Sequence, residues 1–178
     1  MPSSSWDLIP IICKSIHRYQ PKSILDIGTG FGKYGFLARE YTDISRERYA
    51  KEQWTTKIDG IEIFPNYIGD MQKHIYNNIY IGDSVEVLKT LDYYDYILFI
   101  DVIEHMSKEK GLEMLNLIKS KCKVGFIATP LKMALQEPSH GNEHERHICP
   151  WTEKELSKFG TVKIIQNNRG ILLLLINN

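Results

Sequence analysis

The chain has 178 residues, 43% of them apolar and 25% charged, with a formal net charge of zero. That is the make-up of an ordinary globular protein with enough apolar side chains for one sizeable core. Balanced charge excludes a global field drawing the whole protein to nucleic acid or anionic lipid, while a local basic patch stays compatible with it.

Cys13, Cys122 and Cys149 are odd in number, widely spaced and free of any CxxC pattern. This argues against a disulfide framework and for a reducing compartment. The segment Met1 to Asp7 carries no basic stretch, and Pro10 and Lys14 break the apolar residues after it, so no signal peptide is expected. The run Ile171 to Ile176 is too short to span a bilayer and reads as a buried strand. A cytoplasmic protein without membrane contact is therefore expected. No repeat, linker or low-complexity tract interrupts the chain, which predicts one domain over 1–178.

In chain order, Ser5 to Tyr19 reads as an amphipathic lead-in helix with Leu8, Ile11, Ile12, Ile16 and Tyr19 near one face, ended by Pro21. Ser23 to Ile27 is a short buried strand. The loop Asp26-Ile27-Gly28-Thr29-Gly30-Phe31-Gly32 follows, and then a helix through Tyr34, Leu37 and Ala38. Lys57 to Ile63 is a second strand, Tyr67 to Ile75 a helix and Ile79 to Ile81 a third strand. Ser84 to Leu91 reads as a helix with Ser84 as its N-cap and Val87, Leu88 and Leu91 inward. Tyr96 to Ile100 suits a strand covered on both faces. Lys108 to Lys119 is helical with Leu112, Leu115 and Ile118 as its apolar stripe, and Val124 to Ala128 is a fifth strand. Thr152 to Phe159 opens with a capping box, Thr152 to Glu155, and stops at Gly160. Val162 to Gln166 and Ile171 to Ile176 flank the turn-like Asn167-Asn168-Arg169-Gly170, so they should run antiparallel. Repeated strand-helix units imply a mostly parallel sheet with helices on both faces.

In such sheets, ligands bind outside the carboxyl ends of the strands, so residues just after strands carry the chemical information. Gly28, Gly30 and Gly32 let the backbone turn sharply and approach a ligand with no Cβ in the way. The spacing is GxGxG rather than the dinucleotide GxGxxG. Asp26, two residues before the first glycine, suits an amine-bearing or cationic ligand better than a pyrophosphate. Glu62 ends the second strand beside Ile63, where a carboxylate can accept both hydroxyls of a ribose. After the third strand, Asp83 could accept from an adenine amino group, and the Ser84 amide could reach a ring nitrogen. Asp101-Val102-Ile103-Glu104-His105 follows the fourth strand. Asp101 lies where a bound sulfonium would present its reactive end, and His105 could be a general base. Equally, Glu104 and His105 could orient the loop or cap the next helix.

The stretch Ile24 to Gly32 resembles the S-adenosylmethionine (SAM) binding signature of class I methyltransferases, with Thr29 inside that loop. The resemblance makes Glu62 the acidic ribose ligand, Asp83 the adenine contact, and Tyr96 to His105 the fourth motif. It implies an α/β fold, a Rossmann-like three-layer sandwich whose seven-stranded sheet has the order 3-2-1-4-5-7-6 with strand 7 antiparallel. The Val-Ile-Glu-His form of the fourth motif is similar to small-molecule O- and C-methyltransferases of the ubiquinone-biosynthesis type. It is unlike the Asn-Pro-Pro-Tyr motif of amino-group DNA methyltransferases. The implied reaction is methyl transfer from SAM to an oxygen, nitrogen or carbon nucleophile, leaving S-adenosylhomocysteine. Rival readings on the same fold are an aminopropyl transferase, which would want a more acidic pocket, and a non-catalytic SAM-binding subunit.

Thr129 to Pro150 is long for a connection in a compact domain, and such loops are usually functional. It holds His140, His144 and His147. One reading is an acceptor-binding loop with His144, Glu145 and His147 supplying hydrogen bonds or a base. Another is a structural loop whose charges pair with one another. A third is a metal site of Glu104 and His105 with one or two of His140, His144 and His147, since carboxylate and imidazole suit a divalent ion. That arrangement is similar to the ExxEH metal site of RNA 3′-end 2′-O-methyltransferases, with Asp101 in place of the first Glu. Candidate catalytic residues are thus Glu104, His105 and His144, and the metal question stays open. With no large cap domain, the expected acceptor is a small molecule enclosed with help from a second subunit, as in a homodimer, or else a macromolecule such as a nucleic acid.

Overall fold

The computed structural model describes residues 3–132, 136–138, 141–164 and 170–177. Its strands are β1 (Ser23–Ile27), β2 (Lys57–Glu62), β3 (Asn78–Ile81), β4 (Tyr94–Ile100), β5 (Cys122–Pro130), β6 (Thr161–Ile164) and β7 (Gly170–Ile176). Among the described residues they form one seven-stranded sheet in the expected order β3-β2-β1-β4-β5-β7-β6. The first five strands pair in parallel, and β7 runs antiparallel to both β5 and β6.

β4 shows why a continuous apolar run makes a central strand. Successive side chains point to opposite faces, so Ile97 and Phe99 enter one core while Tyr96, Leu98 and Ile100 enter the other. Each large apolar side chain fully buried this way contributes about 1.5–3 kcal/mol. One face is covered by α1 (Ile9–Tyr19), α2 (Lys33–Thr42) and α3 (Asp70–Ile75), through Ile12, Ile16, Ala38 and Ile75. The other is covered by α4 (Ser84–Thr90), α5 (Lys108–Lys121) and α6 (Glu153–Leu156), through Leu88, Leu115, Ile118 and Leu156. This is the three-layer sandwich expected. No helix among the described residues is long and apolar enough to cross a membrane.

Several details differ from the sequence expectations. The lead-in helix begins as a 3-10 turn, Trp6–Leu8, capped by Ser5, before α1 starts with Pro10 in its first turn, where the missing N–H is harmless. Ile11 is largely outside; Cys13 and Ser15 take its place on the buried face, because the Tyr96 hydroxyl donates to Ser15 Oγ at 2.6 Å. The expected helix Tyr67 to Ile75 is split into a 3-10 turn, Pro65–Tyr67, and α3. Ser84 is not the N-cap of α4. Asp83 is, accepting from the Val85 and Glu86 amides, since a carboxylate one residue earlier reaches those free donors. The inward face of α4 is Val85 and Leu88, with Val87 and Leu91 only partly covered. On α5 the buried stripe is Gly111, Met114, Leu115 and Ile118, and Leu112 faces out. A Cβ at Gly111 would lie 2.3 Å from Trp151 Cζ2, so this glycine admits the indole and sets which helix face turns inward. The capping box of Thr152 and Glu155 is present, but the helix stops at Leu156. Ile165, Gln166, Asn167, Asn168 and Arg169 lie outside the described residues.

Candidate cofactor and acceptor site

A cavity of about 490 Å³ opens at the carboxyl ends of the central strands, where the strand order reverses between β1 and β4. Gly28, Thr29, Gly30, Glu62, Ile63, Asp83, Ser84, Asp101, Glu104, His105, His144 and His147 line it. The tertiary structure thus gathers most of the positions singled out from sequence around one cavity.

The glycine loop has φ of 77°, 49° and 84° at Gly28, Gly30 and Gly32. Side chains with a Cβ rarely adopt that left-handed region, which explains glycine at all three. The loop is tied to β2: the Gly28 and Thr29 amides donate to the Ile61 carbonyl at 2.8 and 3.2 Å, and the Gly30 amide to Glu62 Oε2 at 2.8 Å. Glu62 is buried, and its Oε1 accepts from the Phe64 amide at 2.9 Å. A carboxylate has about four acceptor directions, so Glu62 retains capacity for a ligand hydroxyl.

Asp26 and Gly32 stand apart from the cavity wall. Gly32 is the N-cap of α2. The buried Asp26 carboxyl accepts from the Tyr76 hydroxyl at 2.6 Å beneath the loop. Burial pushes its pKa up to about 7; the Tyr76 hydrogen bond opposes the shift and the Glu62 carboxylate adds to it.

Asp83 combines its capping role with an ion pair to Lys110 Nζ at 2.9 Å. Burial acts to raise its pKa, but the Lys110 ammonium and the two helix amides prevail, and it is lowered. Asp83 is therefore a fixed carboxylate at one end of the cavity. Asp101, directly after β4, has φ of 52°, an unusual backbone for a non-glycine residue. Burial raises its pKa, opposed by the Ser5 amide, which donates to Oδ2 at 3.3 Å, and by Lys33.

The acceptor side is built where the 3-10 turn Ile103–His105 meets the segment after β5. The Ile148 and Cys149 amides donate to the Glu104 carbonyl at 2.8 and 3.0 Å, and Trp151 Nε1 to the Ile103 carbonyl at 3.3 Å. His105 Nδ1 lies 3.0 Å from the Arg146 carbonyl. A carbonyl can only accept, so Nδ1 carries the proton and Nε2 presents its lone pair. Burial lowers the His105 pKa, which favours neutral imidazole. These contacts bring His147 against His105, ring centroids 4.9 Å apart.

Beneath them Glu104 is buried; Oε2 accepts from Thr129 Oγ1 at 3.1 Å, and Oε1 has no hydrogen-bond partner among the described residues. Burial pushes its pKa up to about 8, with the Asp101 carboxylate adding to the shift. One ligand atom each from Glu104, His105 and His147 lie within 4.8 Å of one another. Two imidazoles and a buried carboxylate suit a divalent ion. Among the described residues His144 is not in this group; its amide donates to Asn142 Oδ1 and it lines the cavity. His140 lies outside the described residues.

Sequence reasoning missed Lys33, Tyr67 and the Ser3 to Ser5 segment, which also line the cavity. The Tyr67 hydroxyl donates to Glu145 Oε1 at 3.0 Å, joining the segment after β2 to the loop after β5. Lys33, directly after the glycine loop, is the one with a visible signal in the sequence; the others depend on contacts distant along the chain.

A family model for the methyltransferase domain matches residues 8–159. No match is found among curated proteins. Among solved structures, the chain is similar to a SAM-dependent methyltransferase from Archaeoglobus fulgidus, at 22% identity and TM-score 0.59 over 85% of this chain and 66% of that one. A putative O-methyltransferase from Nostoc punctiforme PCC 73102 aligns at 12% identity and TM-score 0.62, over 93% of this chain and 54% of the other. The small RNA methyltransferase HEN1 aligns at 17% identity and TM-score 0.59, over 93% of this chain and 24% of the other. At these identities the likeness establishes the fold, and the chain spans less than two thirds of the length of each of the three. With the family model covering most of the chain, the chain belongs to the methyltransferase domain family, and its strand order is the one expected of a class I methyltransferase.

Proposed function

We propose that this chain transfers the methyl group of SAM to a hydroxyl oxygen presented beside Glu104, His105 and His147, with a divalent cation held by those three side chains. The observation that carries it is the buried Glu104 Oε1, which has no hydrogen-bond partner among the described residues, in a cluster where one ligand atom each of Glu104, His105 and His147 lie within 4.8 Å of one another. An unpaired buried carboxylate oxygen is costly unless a ligand completes it. A cation bound there would supply positive charge that favours the ionised form of a nearby hydroxyl.

The chain's own residues supply the rest. Glu62 accepts the ribose hydroxyls, and Asp83 accepts the adenine amino group, held in place by Lys110. Gly28 and Gly30 let the backbone approach the cofactor. His105, with Nδ1–H fixed on the Arg146 carbonyl, directs Nε2 to the acceptor side. His144, on the loop after β5, faces the acceptor, and much of the rate comes from holding hydroxyl and methyl in attack geometry.

A small hydroxylated molecule is the acceptor this reading favours, with a second copy of the chain closing the open side. The specific alternative is the 2′-hydroxyl of an RNA end. It is favoured by the Asp101, Glu104, His105 and His147 constellation, which is similar to the metal site of RNA 3′-end methyltransferases, and HEN1 shares the fold. The experiment is methyl transfer from labelled SAM to a panel of small alcohols and phenols, and to short RNAs ending in 2′-hydroxyl or 2′-deoxy sugars, with Mn²⁺, Mg²⁺ or chelator. Full turnover in chelator would sink the metal role. Labelling of RNA only when its terminal 2′-hydroxyl is present would move the acceptor to RNA.

A further inference from the structure

Tyr67 follows β2 and Glu145 follows β5, and the Tyr67 hydroxyl donates to Glu145 Oε1 at 3.0 Å. In the sheet those two strands are not neighbours, because β1 and β4 lie between them. Adjacent strands sit about 4.8 Å apart, so the strands that carry these segments are separated by about 14 Å. To meet, the segments must reach across the carboxyl ends of β1 and β4, directly after which Gly28 and Asp101 stand. Gly28, Asp101, Tyr67 and Glu145 all line the same cavity, so the contact forms an arch over it.

Both supports of the arch are pinned. Gln72 Nε2 donates to the Tyr67 carbonyl at 2.7 Å and to the Gly30 carbonyl at 2.9 Å, which ties this turn to the glycine loop. The Tyr67 ring packs edge-on against Phe64, centroids 4.9 Å apart. On the other side Gln136 Nε2 donates to the Glu145 carbonyl at 2.7 Å, and the Ile148 and Cys149 amides hold the Glu104 carbonyl. Burial raises the Tyr67 pKa, with Asn142 opposing and the Glu145 bond adding to the shift, so the phenol keeps its proton and is the donor. Glu145 is buried as well, and water competes weakly for its carboxylate.

We propose that the Tyr67–Glu145 hydrogen bond is a clasp over the cofactor, and that Tyr67 is a positioning residue. It holds the acceptor-side segment down and must let go for the cofactor to enter or leave. The assignment rests on the SAM reading above. A clasp differs in its kinetics from an ordinary ligand contact. Opening precedes both entry and exit, so a weaker clasp speeds both by the same factor and leaves affinity nearly unchanged. A lost ligand contact speeds exit alone.

Surface plasmon resonance with S-adenosylhomocysteine over the immobilised protein reads both rates. Tyr67→Phe should raise association and dissociation together, each about tenfold, the effect of losing a hydrogen bond to a charged group. Kd should change by no more than about twofold. Glu145→Ala should act in the same way, and the double variant should exchange no faster than either single one. Glu145→Gln keeps a carbonyl acceptor for the phenol and should restore most of the slow exchange. Faster dissociation with unchanged association makes Tyr67 a ligand contact and overturns the clasp, as does exchange that neither variant alters. Both outcomes leave the cofactor reading intact. An unaltered protein that does not bind S-adenosylhomocysteine overturns the cofactor reading and the clasp with it.

Discussion

The Glu62 carboxylate receives the Gly30 amide at 2.8 Å, so the end of β2 and the glycine loop form one unit. Glu62→Ala leaves that amide without its partner and removes the charged acceptor from the cavity. Loss of a buried partner costs about 1–3 kcal/mol, which urea unfolding should show as a lower midpoint. In calorimetry the same variant should bind S-adenosylhomocysteine at least about tenfold more weakly. Unchanged affinity would remove Glu62 from the cofactor site.

Asp26 should make stability fall as pH rises from the ordinary carboxylate range at 3.8 to about 7. Its pKa in the folded chain is about 7 against an ordinary 3.8. Below the ordinary value both states hold the proton and Asp26 gives no slope. Between the two values the unfolded chain is ionised while the folded chain keeps its proton, so the native state binds more protons and its stability declines with pH. Above about 7 the contribution is flat. Asp26→Asn should flatten unfolding free energy against pH across that window. Tyr76→Phe removes the hydrogen bond that lowers the pKa and should extend the decline to higher pH.

Cation uptake should depend on pH in the opposite sense. Glu104 must give up its proton to ligate a metal, and its pKa is pushed up to about 8 chiefly by burial. Mn²⁺ or Co²⁺ affinity, followed by calorimetry, should therefore increase as pH is raised towards that value. Glu104→Gln should make the increase shallower and lower the affinity, and His147→Ala, which removes a ligand, should weaken binding at least about tenfold. A pH-independent affinity that survives Glu104→Gln would place any metal elsewhere.

Gly111→Ala should destabilise the protein without touching the cavity. The added methyl would meet Trp151 Cζ2 at 2.3 Å, and that indole is buried. Overpacking of this kind costs about 1–3 kcal/mol, read as a lower urea midpoint together with a shift in tryptophan emission. A midpoint equal to that of the unaltered protein would show that the indole moves freely.

The strands were legible because each is a short apolar run flanked by turn residues, with helix-period patterns between them; their order in the sheet came from the resemblance to class I methyltransferases. Helix faces were less legible. Leu112 and Gly111 are adjacent on α5, and hydropathy alone favours the leucine; the decision came from Trp151, forty residues later, which needs a position without a Cβ. The same holds for Ser15, a polar residue turned inward by the Tyr96 hydroxyl. Ser84 and Asp83 are both good caps, and only backbone geometry selects Asp83.

By itself, the sequence determined the left-handed glycine loop, the carboxylates placed after successive strands, and the parallel architecture that puts them at one end of the sheet. Those are properties of short segments, set by steric limits and local hydropathy. Tertiary structure alone decided that Asp26 turns away to Tyr76 while Lys33 faces the cavity, and that His147 rather than His144 meets Glu104 and His105. The physical reason is that the segment around His147 is positioned by hydrogen bonds to the Ile103, Glu104 and His105 turn, partners some forty residues away, which no local pattern encodes.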